Sequence, residues 1–263
     1  MRLVQLLLSP IRRLMIRRNS TIHCIGDSHS SFFSGQDTMQ DEWPKRSKNR
    51  WPFFRAYRLG PALAYNLIRS GTTSRGREKM VAVLAGIPKG ERILLCYGEI
   101  DCRAHLLKQA QAKSVAPESL VEECVDRYMQ AVLDVRQRGY NVMVWNVVPP
   151  TTLTGDEWAF PVSGSFEDRM KVTRCFNKCL SEACSRAGIP FVSIFDQLLG
   201  QDGTPDHRYF SDRIHLSSEA IQFAVAELRK LCPEISFAAW DKSTGAAVVD
   251  TPASLPDSKS RAA

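Results

Sequence analysis

Four near-continuous apolar runs, at residues 22–25, 92–97, 141–148 and 190–194, are separated by longer stretches in which apolar residues recur at helical spacing. Short apolar runs without alternation fit strands covered on both faces. The stretch 117–138 puts Leu120, Cys124, Tyr128, Val132 and Val135 at that spacing, and Gly139 follows as a stop. The stretch 165–187 ends in the same way at Gly188, two residues before Pro190. Residues 217–231 open with Ser217-Ser218-Glu219 and carry Ile221, Val225 and Leu228. Residues 61–68 and 77–84 are shorter helix candidates. Strands alternating with helices predict an α/β fold in which a parallel sheet is covered on both faces.

In such sheets functional groups gather beyond the carboxyl ends of the strands. Gly26-Asp27-Ser28-His29 follows the first run, Gly98-Glu99-Ile100-Asp101 the second, and Val148-Pro149-Pro150 the third. Late in the chain stands Asp212-Arg213-Ile214-His215. A serine hydroxyl is a poor nucleophile unless a base lies within hydrogen-bond reach, and that base needs an orienting acid. Ser28, His215 and Asp212 supply the three groups. Residues three apart on a turn can lie side by side, so Asp212 can brace His215.

Gly26-Asp27-Ser28, then Gly60, then Gly98-x-x-Asp101, then Asp212-x-x-His215, spread over residues 20–232, resembles the sequence blocks of the SGNH/GDSL hydrolase superfamily. The string Tyr97-Gly-Glu-Ile-Asp-Cys-Arg-Ala-His105, with Asn146-Val-Val-Pro-Pro150, is similar to a less characterised subgroup that includes polysaccharide-associated proteins. The resemblance implies a three-layer α/β/α flavodoxin-like sandwich with a central parallel sheet, and chemistry on esters. It implies Ser28 as nucleophile, His215 as general base and then acid, and Asp212 as the residue that holds the imidazole tautomer. The superfamily's oxyanion hole uses the serine N–H, a glycine N–H and an asparagine side chain. Gly60 stands for that glycine, but Ile100 occupies the asparagine position and cannot donate. One such donor is worth about 2.7–4 kcal/mol of transition-state stabilisation. Arg103 and His105, just beyond, are the candidates to replace it or to grip an anionic substrate group. An ion pair from Arg103 to Glu99 or Asp101 is the alternative. Asp101 belongs to the same block. His29, where the family usually has leucine, either contacts substrate or caps the first helix.

Two rival readings use the same residues. Asp27, His29, Asp101, His105 and His215 could bind metals in a metallophosphoesterase, although its G-D-x-x-D and G-N-H-D/E strings are absent. Alternatively the fold persists as a binding protein, with Ile100 marking lost catalysis.

Composition narrows the remaining classes. With 44% hydrophobic and 24% charged residues, 263 residues can build one substantial core. The expected division is a basic amphipathic leader at 1–19, one domain at 20–232 and a disordered tail at 233–263. The net charge of +7 is concentrated in Arg2, Arg12, Arg13, Arg17 and Arg18, interleaved with apolar residues and with no acid before residue 21. That leader either touches an anionic membrane surface through residues 1–18 or caps the domain with its apolar side. No basic stripe with interleaved aromatics supports a nucleic-acid partner. Eight cysteines without a C-x-x-C pair read as free thiols in a reducing, cytoplasmic setting. No metal or organic cofactor is expected, and the expected partner is a small-molecule or saccharide ester. Trp43, Trp51, Phe53, Phe54, Trp158 and Phe160 could serve as sugar platforms or as core.

Overall fold

The computed structural model describes residues 21–152 and 161–237. Its strands are β1 (Ile22–Gly26), β2 (Phe54–Arg58), β3 (Arg92–Cys96), β4 (Asn141–Trp145) and β5 (Phe191–Val192). They pair in parallel in the order β2-β1-β3-β4-β5. This is the flavodoxin-like order, whose switch point lies between β1 and β3. The α-helices of the described residues are α1 (Gly76–Ala85), α2 (Leu106–Lys113), α3 (Pro117–Gln137), α4 (Phe166–Ala187) and α5 (Ile221–Leu231).

Alternate strand residues face opposite layers. Ile93, Leu95, Val142 and Val144 pack with Met80 of α1, Ala110 of α2, Tyr128 of α3 and Phe176 of α4. Leu94, Cys96, Met143 and Trp145 face the second layer, built from Ile221 and Val225 of α5 with Phe32, Phe33, Phe53 and Phe54. The sandwich predicted from the sequence is therefore present.

Where expectation and structure differ, the cause is local. Strand β2 reads Phe-Arg-Ala-Tyr-Arg, and its place at the sheet edge exposes Arg55 while burying Phe54 and Ala56. Such an edge strand lacks the continuous apolar run of its neighbours. Helix α2 buries only Leu106 and Ala110, too little apolar pattern to announce it. Residues 61–68 contain a single 3-10 turn, Ala64–Asn66. Strand β4 stops at Trp145 because Asn146 turns its side chain to the backbone. There it accepts from Ile194 N at 3.0 Å and donates to Val147 O at 2.8 Å. Helix α4 begins where the pattern places it, since Ser165 and Asp168 form a capping box.

Trp51, Phe53 and Phe54 are buried in the layer over β1 and β3, and Trp51 and Phe54 also line a surface cavity with Trp43. The packed chain also runs past residue 232. Ile235 and Phe237 are buried, and the Phe237 ring stands edge-on to Phe53 at 4.9 Å. All eight cysteines are free, with Cys175 and Cys179 half-buried and the others buried. The leader, the tail beyond 237, Trp158 and Phe160 lie outside the described residues. No helix of the described residues is long and apolar enough to cross a membrane.

Truncating a buried aromatic costs about 3–5 kcal/mol. Phe237→Ala should lower unfolding stability by that order in urea titration. An unchanged midpoint would return the domain boundary to residue 232.

Candidate active site

The site begins with a glycine. A Cβ on Gly26 would lie 2.0 Å from the Cys96 carbonyl oxygen, so only glycine lets the ends of β1 and β3 close to this degree. The Asp27 N–H then donates to that carbonyl at 3.2 Å. Oδ1 of Asp27 accepts from His29 N at 2.9 Å and caps a 3-10 turn, Ser28–Ser34. Phe32 and Phe33 pin the turn, with ring centroids 6.0 and 5.0 Å from Trp145. The Ser30 hydroxyl donates back to Asp27 O at 2.8 Å. Ser28 is thus the first residue of a firmly held turn. It is half-buried and lines a cavity of about 520 Å3 together with Gly60, Ile100, Arg103 and His105.

Asp212 and His215 meet as their spacing predicts. Asp212 Oδ2 lies 2.7 Å from His215 Nδ1, and Oδ1 accepts from the backbone N–H groups of Ile214 and His215, each at 2.7 Å. Burial alone would raise the Asp212 carboxyl, but the hydrogen bonds from His215 and Ile214 hold it down at about 2. The His215 ring is buried, and its centroid lies 5.1 Å from that of His29, the residue after Ser28. The Ser28 hydroxyl makes no hydrogen bond among the described residues. A catalytic contact of this kind is often loose without substrate and tightens in the complex.

Gly60 follows β2 with φ +85°, and a Cβ there would meet the Glu42 carboxylate at 2.6 Å. Both the conformation and the space call for glycine. Asp101 serves the same corner from behind. Its buried carboxylate accepts from Ala64 N at 2.8 Å and Tyr65 N at 3.2 Å, fixing the turn after Gly60. Burial raises the Asp101 carboxyl, and these two bonds work against the rise. Asp101 therefore positions backbone, with its oxygens already engaged. His105 is exposed on the cavity wall.

Arg103 takes the ion-pair alternative. Its Nε donates to Glu99 Oε1 at 2.7 Å, and one terminal nitrogen donates to Pro161 O at 2.6 Å. Asp101–His105 form a π-turn. Its Arg103 and Ala104 carbonyls accept from the Ser163 N–H and hydroxyl at 2.9 and 2.8 Å. A π-turn leaves carbonyls outside the helical ladder, and Ser163 satisfies two of them. Glu99 also faces His29, with Oε2 3.5 Å from Nε2. Burial pushes the Glu99 carboxyl up, but His29 and Arg103 more than reverse this and hold it at about 2. Burial also pushes His29 below the usual imidazole range despite Glu99. Arg103, whose charge does not titrate, favours the ionised Glu99 alongside His29. Sequence reasoning treated Glu99 only as a partner for Arg103. Its i,i+4 spacing from Arg103 was the available signal. Asn66 and residues 72–74, which also line the cavity, carried no signal.

Among the described residues no three His, Cys, Asp or Glu side chains converge as a metal site requires. Of the five groups in the metallophosphoesterase reading, Asp27 and Asp101 accept from backbone N–H groups, His215 pairs with Asp212, and His105 is exposed on the cavity wall.

No family model and no curated protein matches the sequence. Solved structures do match the fold. A Bacteroides fragilis protein assigned as an acylhydrolase aligns with a TM-score of 0.52 at 13% identity, over 82% of this chain and 87% of its own. A GDSL-like lipase from Bacteroides thetaiotaomicron aligns with a TM-score of 0.51, also at 13% identity, over 82% and 88%. The fold is that of the SGNH/GDSL hydrolases. Within this fold, the Ser28 turn follows β1 and the Glu99 block follows β3, on the two sides of the switch point.

Removing one partner of a buried ion pair costs about 3–5 kcal/mol, because the other charge is left unpaired. Arg103→Ala should therefore destabilise the protein by that order in chemical denaturation. Unchanged stability would mean that the guanidinium is not needed by Glu99 and is available to substrate.

Proposed function

We propose that the chain is a serine-dependent ester hydrolase or O-acyltransferase in which Ser28 is the nucleophile, His215 the base and Asp212 its brace. The observation that carries this reading is the Asp212–His215 contact of 2.7 Å at Nδ1. A carboxylate there fixes the ring proton on Nδ1 and makes Nε2 the basic nitrogen. In the proposed reaction Ser28 Oγ attacks the acyl carbon and its proton passes to His215 Nε2. Backbone N–H groups of Ser28 and Gly60 receive the oxyanion. Collapse expels the alcohol, which takes the proton from His215. Water then attacks the acyl-serine to complete hydrolysis, or a second hydroxyl attacks it to complete transfer.

The cavity wall bears on the substrate. Arg58, Asn66, Thr72, Thr73, Ser74 and His105 offer hydrogen-bonding groups beside Ser28. At about 520 Å3 the cavity falls in the range of small-ligand sites. Met39, Pro61, Leu63, Ile100 and Pro161 make much of the remaining wall apolar, which suits a short acyl group, while the hydrogen-bonding residues suit a polyhydroxyl alcohol such as a saccharide. Ile100 also lines the cavity and offers no donor, which is the observation favouring a non-catalytic binding protein. A two-donor hole would forgo about 2.7–4 kcal/mol relative to three donors, slowing the reaction without abolishing it.

A panel of short-chain aryl esters and acetylated saccharides separates the readings. Wild-type protein should turn over at least one of them. Ser28→Ala and His215→Ala should each lower kcat on the order of 10⁴-fold or more while keeping the fold. Turnover that survives Ser28→Ala would sink the assignment. Saturable binding without turnover of any ester would favour the binding protein.

A further inference from the structure

Next to the Ser28 turn lies a small hollow that the proposed reaction does not use. It measures about 10 Å3 and is lined by Asp27, His29, Tyr97 and Glu99, with Cys96 and Trp145 among its apolar walls. That is about the room one water molecule requires, provided polar partners surround it. Here they do. Asp27 Oδ2, His29 Nε2, Tyr97 Oη and Glu99 Oε2 have no hydrogen-bond partner among the described residues, and each residue is at least nine-tenths buried. Native structures rarely leave such atoms unsatisfied, and an ordered water is the usual remedy.

The charges of these groups complement one another. Burial, reinforced by the Glu99 charge, pushes Asp27 toward the neutral acid, which can donate. Glu99 is held ionised beside Arg103 and accepts. One water can accept from Asp27 and donate to Glu99. His29 Nε2 lies 3.5 Å from Glu99 Oε2 with no hydrogen bond between them, so a water beside the pair can bond to both. The His29 ring also meets the His215 ring, with centroids 5.1 Å apart and planes tilted by 38°. The ionisable groups around this pair are Asp27, Tyr97, Glu99, Arg103, Arg169 and Asp212.

We propose that His29 is a positioning residue for His215, fixed behind it by Glu99 and by a single water molecule that Asp27 helps to hold in this hollow. Asp212 braces the imidazole at Nδ1, and His29 supports its ring face. The proposal rests on the reading of His215 as the base.

Three measurements on the full chain test it. A crystal structure that reveals ordered solvent should show one water within hydrogen-bonding distance of at least two of Asp27 Oδ2, His29 Nε2 and Glu99 Oε2. In NMR spectra the ring-proton resonances of His215 should move in Glu99→Gln, because the His29 ring 5.1 Å away loses its anchor. Reaction with a fluorophosphonate should slow about tenfold in His29→Leu and recover in His29→Gln, which retains a polar reach toward Glu99. A dry hollow in the wild type overturns the proposal even if the variants fail to fold. So do unmoved His215 ring resonances in folded Glu99→Gln, or equal reaction rates for wild type and His29→Leu. The NMR comparison needs no turnover. Moved resonances without Ser28 labelling would therefore leave the support standing and defeat the catalytic reading alone.

Discussion

Ionised groups placed between two strand ends must be paired where they lie, and the site is built around that requirement. Glu99 and Arg103 are both buried, where an unpaired charge costs several kcal/mol. Their contact at 2.7 Å meets the demand within one turn of chain. Its consequences spread outward. Pairing directs the Arg103 Nε to Glu99, and the second bond to Pro161 O ties the 161–165 segment to the site. Ionised Glu99 in turn faces His29 and favours a neutral Asp27, so the residues on either side of Ser28 both answer to one buried pair.

The sheet supplies the other half of the geometry. Parallel strands end together, and the flavodoxin-like order opens a crevice between β1 and β3. Gly26 lets those two strands close, Asp27 caps the turn, and Phe32 with Phe33 anchors it against Trp145. Asp101 acts from the opposite wall by holding the backbone that follows Gly60. Residues whose side chains are already spent on protein atoms can still position the groups that would contact substrate.

Much of this was legible in the amino-acid order. Continuous apolar runs revealed β1, β3 and β4, because strands covered on both faces have no polar positions to interrupt the signal. Glycine stops and the Ser165 cap set the ends of the long helices, and the Asp212–His215 contact followed from a three-residue spacing. Other features were hidden for physical reasons. Strand β2 has one solvent-facing edge and carries Arg55 and Arg58, so periodicity alone does not reveal it. The choice of Arg103 between substrate and Glu99 depends on burial, which composition does not encode. Asp101 stands in the same sequence block as the oxyanion candidates but is consumed by two backbone N–H groups from residues 37 and 36 positions earlier. Phe237 looks like tail until its ring is seen against Phe53.

The central claim is that the hydroxyl of Ser28 is activated by His215. Its most direct measurement is the position of the covalent adduct after the full chain is treated with a fluorophosphonate, digested and mapped by tandem mass spectrometry. The account predicts one phosphonylated residue, Ser28, with the modification lost when His215 is replaced by alanine. A modified residue elsewhere, or an unmodified Ser28 under conditions that label a serine hydrolase control, would contradict it.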